Sequence, residues 1–176
     1  MDRNALLLER LDQGHLDLAL AFGSSSRADA QRLATLPMTW IGSAAREHMI
    51  LPGEPLSLVM YGPPCFFRQA GIDAMDRAGI PWRTSFTSPS IHGLWAAVAA
   101  GLGVTLRTAV GLPDYLAVLD ERSGLPPVPT ITLSLHDAGR ELSPATKRLK
   151  AILVGTLVDN LASIQQPGTT DPITRL

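Results

Sequence analysis

The sequence predicts an α/β fold with mainly parallel sheets. Short apolar runs bounded by turn-forming residues, which are typical of buried strands, alternate with segments of about ten to fifteen residues that show helical periodicity. This alternation favours parallel pairing, because a helix between two strands returns the chain to the same end of the sheet. The chain has 176 residues, of which 45% are hydrophobic, so it can bury a sizeable core.

The first half of the pattern begins with a helix. Leucines repeat at helical spacing within residues 4–13, and Gly14 follows where helices commonly end. The apolar run 16–22 then predicts a strand, which ends at Gly23 and the three serines after it. Further strands are predicted at residues 39–42, 56–60, 104–106 and 130–135.

Three more helices are predicted from their ends and their apolar faces. The second begins near Pro64 and ends at Gly79, and the third has Ser90 as its N-cap and extends toward Gly103. The fourth begins at Ser143-Pro144. Its predicted apolar stripe consists of Leu149, Ile152, Leu153, Leu157 and Leu161. Residues 165–176 show no periodicity and have few apolar groups, and a flexible tail is expected there.

Composition restricts the classes of partner. Fifteen basic and sixteen acidic residues give a net charge of -1. This chain alone is therefore not expected to bind the phosphate backbone of DNA tightly. Cys65 is the single cysteine, which excludes an internal disulfide and favours a cytoplasmic location. No apolar run approaches the roughly 20 residues that cross a bilayer, so no membrane association is expected.

The sequence offers few signs of catalysis. The four histidines are scattered singly, and no metal spacing, nucleophile elbow or phosphate-binding loop accompanies them. We therefore expect no cofactor, no metal and no catalytic residues. Asp17 lies in a predicted strand, where a structural hydrogen bond is favoured over a general base. Cys65 at a helix start is either a redox sensor or a small buried hydrophobe, and the second interpretation is preferred.

Three turns after predicted strands form a candidate ligand site. Ser88, Pro89 and Ser90 present hydroxyls and backbone N–H groups at a helix N-terminus, which favours carboxylates and phosphates. Cys65 and Phe66 are expected to form an opposite wall, with Phe67 in the core. The turn at Phe22 and Gly23 completes the candidate site. Because ligands of open α/β sheets bind beyond the carboxyl ends of strands, the three turns are expected to converge.

Ordered motifs along the chain resemble one family. These motifs are residues 14–20 (GHLDLAL), Ser88-Pro89-Ser90 and residues 97–106 (AVAAGLGVTL), in this order, with Leu125-Pro126-Pro127 before the last strand. From about Leu7 to Leu161 the chain resembles the effector-binding domain of LysR-type transcriptional regulators. The motifs are weak individually, and their order makes the resemblance specific.

The resemblance implies two lobes like those of periplasmic binding proteins, with a small effector in the cleft between them. Residues 1–36 and 129–164 would form the first lobe, and residues 37–128 the second. The family's first strand and helix have no counterpart in the chain, so the first lobe is expected to be incomplete. By motif position, the implied ligand-binding residues are Ser88, Pro89, Ser90, Cys65, Phe66, Phe22 and Gly23.

The function implied by the resemblance is sensing of a small anionic metabolite to modulate transcription. DNA would be bound only by a winged helix-turn-helix domain that this chain lacks, in a parent protein expected to be a homodimer or tetramer. The alternative is a solute-binding protein of a transport system, since the fold would be shared. An enzyme is disfavoured, because no nucleophile and base are paired in the sequence.

Overall fold

The structure is a computed structural model that describes residues 4–23, 27–46, 50 and 53–165, without the side chains of 158–160 and 162–165. The described helices are α1 (Asn4–Asp12), α2 (Phe66–Ala78), α3 (Ile91–Ala99) and α4 (Pro144–Gln165), with a short 3-10 helix at Glu121–Ser123. The described strands are β1 (Leu18–Phe22), β2 (Ala30–Pro37), β3 (Thr39–Ser43), β4 (Leu56–Met60), β5 (Trp82–Thr87), β6 (Thr105–Arg107), β7 (Leu116–Val118) and β8 (Thr130–Asp137). The α/β class is therefore confirmed.

The expectation of mainly parallel sheets is wrong for the described strands. The first sheet has the order β1-β8-β2 and the second the order β6-β3-β7, and both are antiparallel. Only β4 and β5 form a parallel named pair, to which Val104 adds one parallel bridge at Leu58. The parallel pair is the one with a crossover helix, α2, between its strands. Apolar periodicity predicts where strands lie along the chain. Whether two strands pair parallel or antiparallel depends on the connection between them.

Three strands were not predicted from the sequence. Five of the six residues of β5 are exposed, and β2 exposes its polar residues at Gln31 and Arg32. The third, β7, has only three residues. Strands β5 and β7 escape detection because an exposed or very short strand lacks the apolar run or alternation on which prediction depends. In β2 the alternation of buried and exposed residues is confined to its second half, residues 34–37.

The predicted helices all exist, with changes at their ends. Helix α3 ends at Ala99, before the predicted end near Gly103, and Leu102 beyond it is 46% exposed. Gly103 does not end the helix. A Cβ at Gly103 would lie 2.2 Å from the backbone oxygen of Ser57, so glycine there permits close approach of two backbone segments.

Two apolar clusters form the core. The larger cluster contains Leu36, Trp40, Leu58 and Met75, and so joins α2 to strands of all three sheets. The smaller cluster packs α3 against β3, β4 and β7.

Helix α4 covers the first sheet with its second half only. Leu161 is buried and Leu157 packs against the larger cluster, whereas Leu149 and Ile152 are 50% and 55% exposed. The predicted continuous stripe is therefore wrong in its first half. That half is held by polar contacts, including the 2.7 Å hydrogen bond from Lys150 Nζ to Asp137.

The remaining sequence expectations concern the tail and the membrane. Residues 166–176 of the expected tail lie outside the described residues, and Gln165 is the last residue of α4. None of the described helices is both long enough and apolar enough to cross a bilayer.

Candidate functional site

A half-buried arginine marks the most unusual environment in the described chain. Arg107 is the last residue of β6, and its guanidinium carbon lies 4.3 Å from the ring centroid of Tyr61 and 4.6 Å from that of Phe67. Burial lowers the pKa of Arg107 below its usual range. No Asp or Glu of the described residues lies within ion-pair distance of its guanidinium. An arginine remains charged in proteins, so this cation is partly desolvated, with aromatic side chains but no carboxylate to compensate it.

A small cavity lies beside this guanidinium. Its lining includes the polar residues Arg107, Arg68, Thr105, Tyr61 and Cys65 and apolar residues such as Phe67, Trp40, Met60 and Leu94. Its volume is about 10 Å³, close to the space that one water molecule requires. At this volume the cavity cannot hold a metabolite, which would fit only if the walls moved apart.

The start of α2 supplies one wall of the cavity. Cys65 is the N-cap residue with extended backbone angles (φ -155°, ψ 123°), and its carbonyl accepts a 3.0 Å hydrogen bond from the backbone N–H of Gln69. Its half-buried thiol lines the cavity. Arg68, one turn into the helix, donates to the backbone oxygen of Tyr61 at 3.3 Å. The structure thus places the predicted residue Cys65 beside Arg107.

The turn after β1 meets the same end of α2. The ring of Phe66 lies 3.0 Å from the position that a Cβ at Gly23 would occupy. The rings of Phe22 and Phe67 meet edge to face, with their centroids 5.4 Å apart. Phe66 is 54% exposed and Phe67 is 8% exposed, as the sequence predicts for a surface wall and a core residue. Two of the three predicted turns therefore converge.

The hydroxyls of the Ser88–Ser90 turn make different hydrogen bonds from the cap that the sequence predicts. Ser90 occupies the N-cap position of α3 but makes no side-chain cap hydrogen bond. Instead, the buried Ser88 Oγ accepts a 3.1 Å hydrogen bond from the backbone N–H of Ser90. The backbone N–H of Ser88 donates to Met60 at 3.4 Å, so the turn adjoins the end of β4, whereas Pro89 and Ser90 are exposed. The prediction that the Ser90 hydroxyl caps the helix is wrong.

Sequence reasoning missed the two arginines of the cavity. Arg107 directly follows the apolar run of β6, and Arg68 lies one residue after Phe67. In the sequence, the feature that could have identified Arg107 is a basic residue at the end of a predicted buried strand. Its significance becomes visible only when β4, α2 and β6 are brought together.

Other candidates from the sequence have structural partners. Asp17 accepts a 2.7 Å hydrogen bond from Arg140, which also donates to the backbone oxygen of Gly14 at 3.1 Å. This contact fits the structural interpretation of Asp17. Within the described ranges, no group of three or more His, Cys, Asp or Glu side chains could hold a metal ion.

Comparison with known sequences finds one family. The family model described as "LysR substrate binding domain" matches residues 1–157. The HTH-type transcriptional regulator PecT of Dickeya dadantii is 36% identical over 127 residues, which are 72% of this chain and 40% of that protein. DgdR of Burkholderia cepacia, another HTH-type regulator, is 30% identical over 129 residues, 73% of this chain and 43% of its own length. The chain thus spans less than half the length of these relatives.

Comparison with solved structures finds the same architecture. Full-length HypT of Salmonella typhimurium, a hypochlorite-specific LysR-type regulator, has a TM-score of 0.70 at 16% identity, over 90% of this chain and 57% of that one. The CcmR regulatory domain of Synechocystis in complex with 2-PG has a TM-score of 0.63 at 18% identity, over 88% and 80% of the two chains. DarR of Vibrio fischeri in complex with DNA has a TM-score of 0.68 at 16% identity, over 84% and 53%. At these identities the likeness establishes the fold, which is the two-lobed one of periplasmic binding proteins.

Proposed function

The chain belongs to the LysR substrate-binding domain family, and from that premise we propose that it senses a small anionic metabolite for a longer transcriptional regulator. The metabolite would bind in the cleft between two lobes. DNA would be bound by a winged helix-turn-helix domain elsewhere in that regulator. As regulators act on DNA, we place the domain in the cytoplasm, within a homodimer or tetramer of the longer protein.

The observation that carries the proposal is the environment of Arg107. Arg107 lines the cavity, its guanidinium contacts two aromatic rings, and it has no carboxylate partner among the described residues. A desolvated cation without a carboxylate partner destabilises the ligand-free domain. A bound anion would compensate the charge and remove this destabilisation. The same chemistry favours an anion over a neutral or cationic metabolite.

The strands support the proposed division into lobes of 1–36 with 129–164, and of 37–128. All strands of the β1-β8-β2 sheet come from the first set of residues except for the last residue of β2, and those of the other two sheets come from the second. Crossings between the lobes are proposed near residues 37–40 and 127–132, where the backbone N–H of Met38 donates to Pro129 at 3.3 Å. The contact of Phe66 with Gly23 then joins the two lobes beside the cavity.

The proposed ligand contacts combine the motif residues with Arg107. Cys65 lines the cavity, and Phe66, Phe22 and Gly23 form the junction beside it. The exposed Ser90 hydroxyl remains available to a ligand that extends beyond the cavity, while Ser88 and Pro89 hold that turn in place.

The proposed mechanism is a shift between two arrangements of the lobes. A ligand changes such an equilibrium only by its difference in affinity for the two arrangements. Because the cavity holds about 10 Å³ in the present arrangement, a metabolite would favour an arrangement in which the walls are further apart. In the longer protein, that difference would alter the geometry of the DNA-binding domains.

Thermal unfolding with a panel of carboxylates, amino acids and phosphorylated metabolites tests the proposal. A ligand at 100 times its dissociation constant adds about 2.7 kcal/mol to the free energy of unfolding, which raises the melting temperature of a domain this size by about 5–10 °C. We expect at least one anion to produce this shift in the wild type. The Arg107→Met variant should lose the shift and, without ligand, melt at or above the wild-type temperature, because a desolvated charge is removed.

Arg83→Met is the matched control, since Arg83 is an exposed arginine on β5. It should keep the full response to the ligand. An anion that shifts the melting temperature of wild type and Arg107→Met equally would contradict the role of Arg107. A panel in which no compound shifts the wild type would refute anion sensing by this domain.

A further inference from the structure

The lining of the cavity indicates which kind of anion binds there, an inference that rests on the proposed function. We propose that the effector is a monocarboxylate with a compact apolar body, its carboxylate held by Arg107 and Thr105 and its body against the apolar wall.

Thr105 is the second polar group available to the acid. It is 2% exposed, lines the cavity, and its hydroxyl makes no hydrogen bond with any described residue. Thr105 and Arg107 are two positions apart in β6, so their side chains leave the strand on the same side. A carboxylate oxygen accepts hydrogen bonds from a hydroxyl and from a guanidinium, so both groups can hold the acid.

The charge of the lining favours one negative group. Arg107 and Arg68 are the charged residues that line the cavity, and no carboxylate lines it. Arg68 already donates to the backbone oxygen of Tyr61 at 3.3 Å, which leaves Arg107 as the cation without a carboxylate or carbonyl partner among the described residues. A planar carboxylate matches the donor fork of one arginine. A phosphate dianion would retain charge that one arginine does not neutralise.

The remaining wall requires an apolar body. Trp40, Leu58, Met60, Leu94, Val104 and Leu106 line it, and all six are buried. A sugar or a second acid group against these side chains would lose its hydration without gaining a partner. An apolar body loses nothing there and gains contact area. Rings are compact for the area they bury, so aromatic and alicyclic acids suit this wall best.

The test compares compounds that differ in one property each. The probes are three ring acids: benzoate, phenylacetate and cyclohexanecarboxylate. The comparison compounds are benzamide, which is neutral, acetate, which is an acid without a ring, and phenyl phosphate, which is a dianion. Binding is followed by calorimetry and by tryptophan fluorescence, in a Trp82→Phe background that removes the half-exposed tryptophan of β5 and leaves Trp40, which lines the cavity, and the buried Trp95 of α3. At least one ring acid should bind tenfold or more tightly than benzamide, acetate and phenyl phosphate.

Two pairs of variants connect this selectivity to the proposed residues. Thr105→Val removes the hydroxyl and should weaken the ring acid about tenfold, whereas Thr105→Ser keeps it and should bind nearly as the wild type does. Arg107→Met should weaken the same acid a hundredfold or more, and Arg83→Met should leave it unchanged. Because Thr105→Ser keeps the hydroxyl, its binding separates loss of the contact from loss of the fold.

The outcomes separate this inference from the proposed function. Binding of a phosphorylated compound, a dicarboxylate or an amino acid in preference to the ring acids, with dependence on Arg107, would overturn the monocarboxylate class and support anion sensing. Ring-acid binding that is equal in Thr105→Val and Thr105→Ser would overturn the role of Thr105. If neither these probes nor the broader anion panel bind the wild type, both the inference and the proposed function are wrong.

Discussion

The phenyl ring of Phe66 covers the backbone of Gly23. Two carbons of the ring, Cε2 and Cζ, lie 3.0 Å from the point where a Cβ at Gly23 would be, and Gly23 has a φ of +114°. The contact joins the end of β1 to the first residue of α2, beside the cavity that contains Arg107. Only glycine adopts this backbone angle without strain and admits the ring at this distance.

Replacing Gly23 by alanine should destabilise the domain by about 2 kcal/mol, from backbone strain and from displacement of the Phe66 ring. Chemical denaturation of Gly23→Ala, Phe66→Ala and the double variant measures the two parts. In the Phe66→Ala background the cost of Gly23→Ala should fall, because the steric part is gone and only strain remains.

Gly111→Ala is the matched control. Gly111 has a φ of +65°, and a Cβ there would meet no atom within 4 Å, so strain alone should cost about 1 kcal/mol. Its cost should not depend on Phe66. Additive effects of Gly23→Ala and Phe66→Ala would show that the ring does not constrain this turn.

Gly93 in α3 predicts a second steric effect, at the turn of the candidate ligand residues. A Cβ at Gly93 would lie 2.4 Å from Ser88 Oγ, which is buried and accepts the backbone N–H of Ser90. Gly93→Ala should therefore cost about 2 kcal/mol, since the serine must move and its hydrogen bond is lost. Thermal unfolding should show a fall of about 4–8 °C.

Gly155 in α4 provides the opposite case. It is exposed, and a Cβ there would have no neighbouring atom within 4 Å, so Gly155→Ala should gain about 0.5–1 kcal/mol from helix propensity. The same substitution is thus expected to destabilise one helix and stabilise another. If both variants were stabilised, the close approach of Ser88 to α3 would be wrong.

The acid sensitivity of the domain should depend partly on Asp137. Its pKa is held below the usual range chiefly by the hydrogen bond from Lys150 at 2.7 Å, with a second from the backbone N–H of Gly139 at 3.1 Å. A carboxyl with a lowered pKa in the folded state stabilises the fold above its unfolded pKa of about 3.9, and this stabilisation is lost as the pH falls through the folded pKa.

Asp137→Asn should therefore lower the free energy of unfolding at pH 6 by no more than about 1 kcal/mol, because both partners are partly exposed. The difference from the wild type should shrink below pH 4. Urea denaturation at pH 3, 4, 5 and 6 measures it. Glu141→Gln, which alters the exposed 3.7 Å pair with Lys147, should change little at any of these pH values. A difference for Asp137→Asn that stayed constant with pH would exclude the ionised pair as its cause.

The elements with strong local signals were predictable from the sequence. Helix α2 was found from its apolar face, and the separation of exposed Phe66 from buried Phe67 followed from the same periodicity. Local sequence patterns do not predict strands or strand orders that are determined by contacts between distant parts of the chain. The exposed strand β5 has no apolar pattern, and β8 lies between β1 and β2 because of the chain's return path, which no local window contains.

The candidate site also contains one residue that a local sequence pattern predicts and one that only the tertiary structure reveals. Cys65 was predicted from its position at a strand-to-helix turn, and it lines the cavity. Arg107 was missed because its environment is built by Tyr61 after β4 and Phe67 of α2, both about forty residues earlier in the chain. A charged residue at the end of a strand usually faces solvent, and only the packing of these rings against it reveals otherwise.

Alanine substitutions of Ser88 and Ser90, in the turn before α3, should distinguish an effect on stability from an effect on ligand binding. Ser88→Ala removes the buried oxygen that accepts the N–H of Ser90, and should cost about 1 kcal/mol with a fall in melting temperature of about 2–4 °C. Ser90→Ala removes an exposed hydroxyl that makes no cap hydrogen bond, so the melting temperature of the free domain should not change. If Ser90 contacts the effector, as its place in the motif implies, calorimetry should show affinity for the effector reduced about tenfold in Ser90→Ala. Equal affinity of wild type and Ser90→Ala would remove Ser90 from the site and leave Arg107 and Thr105 as the polar residues proposed to contact the effector.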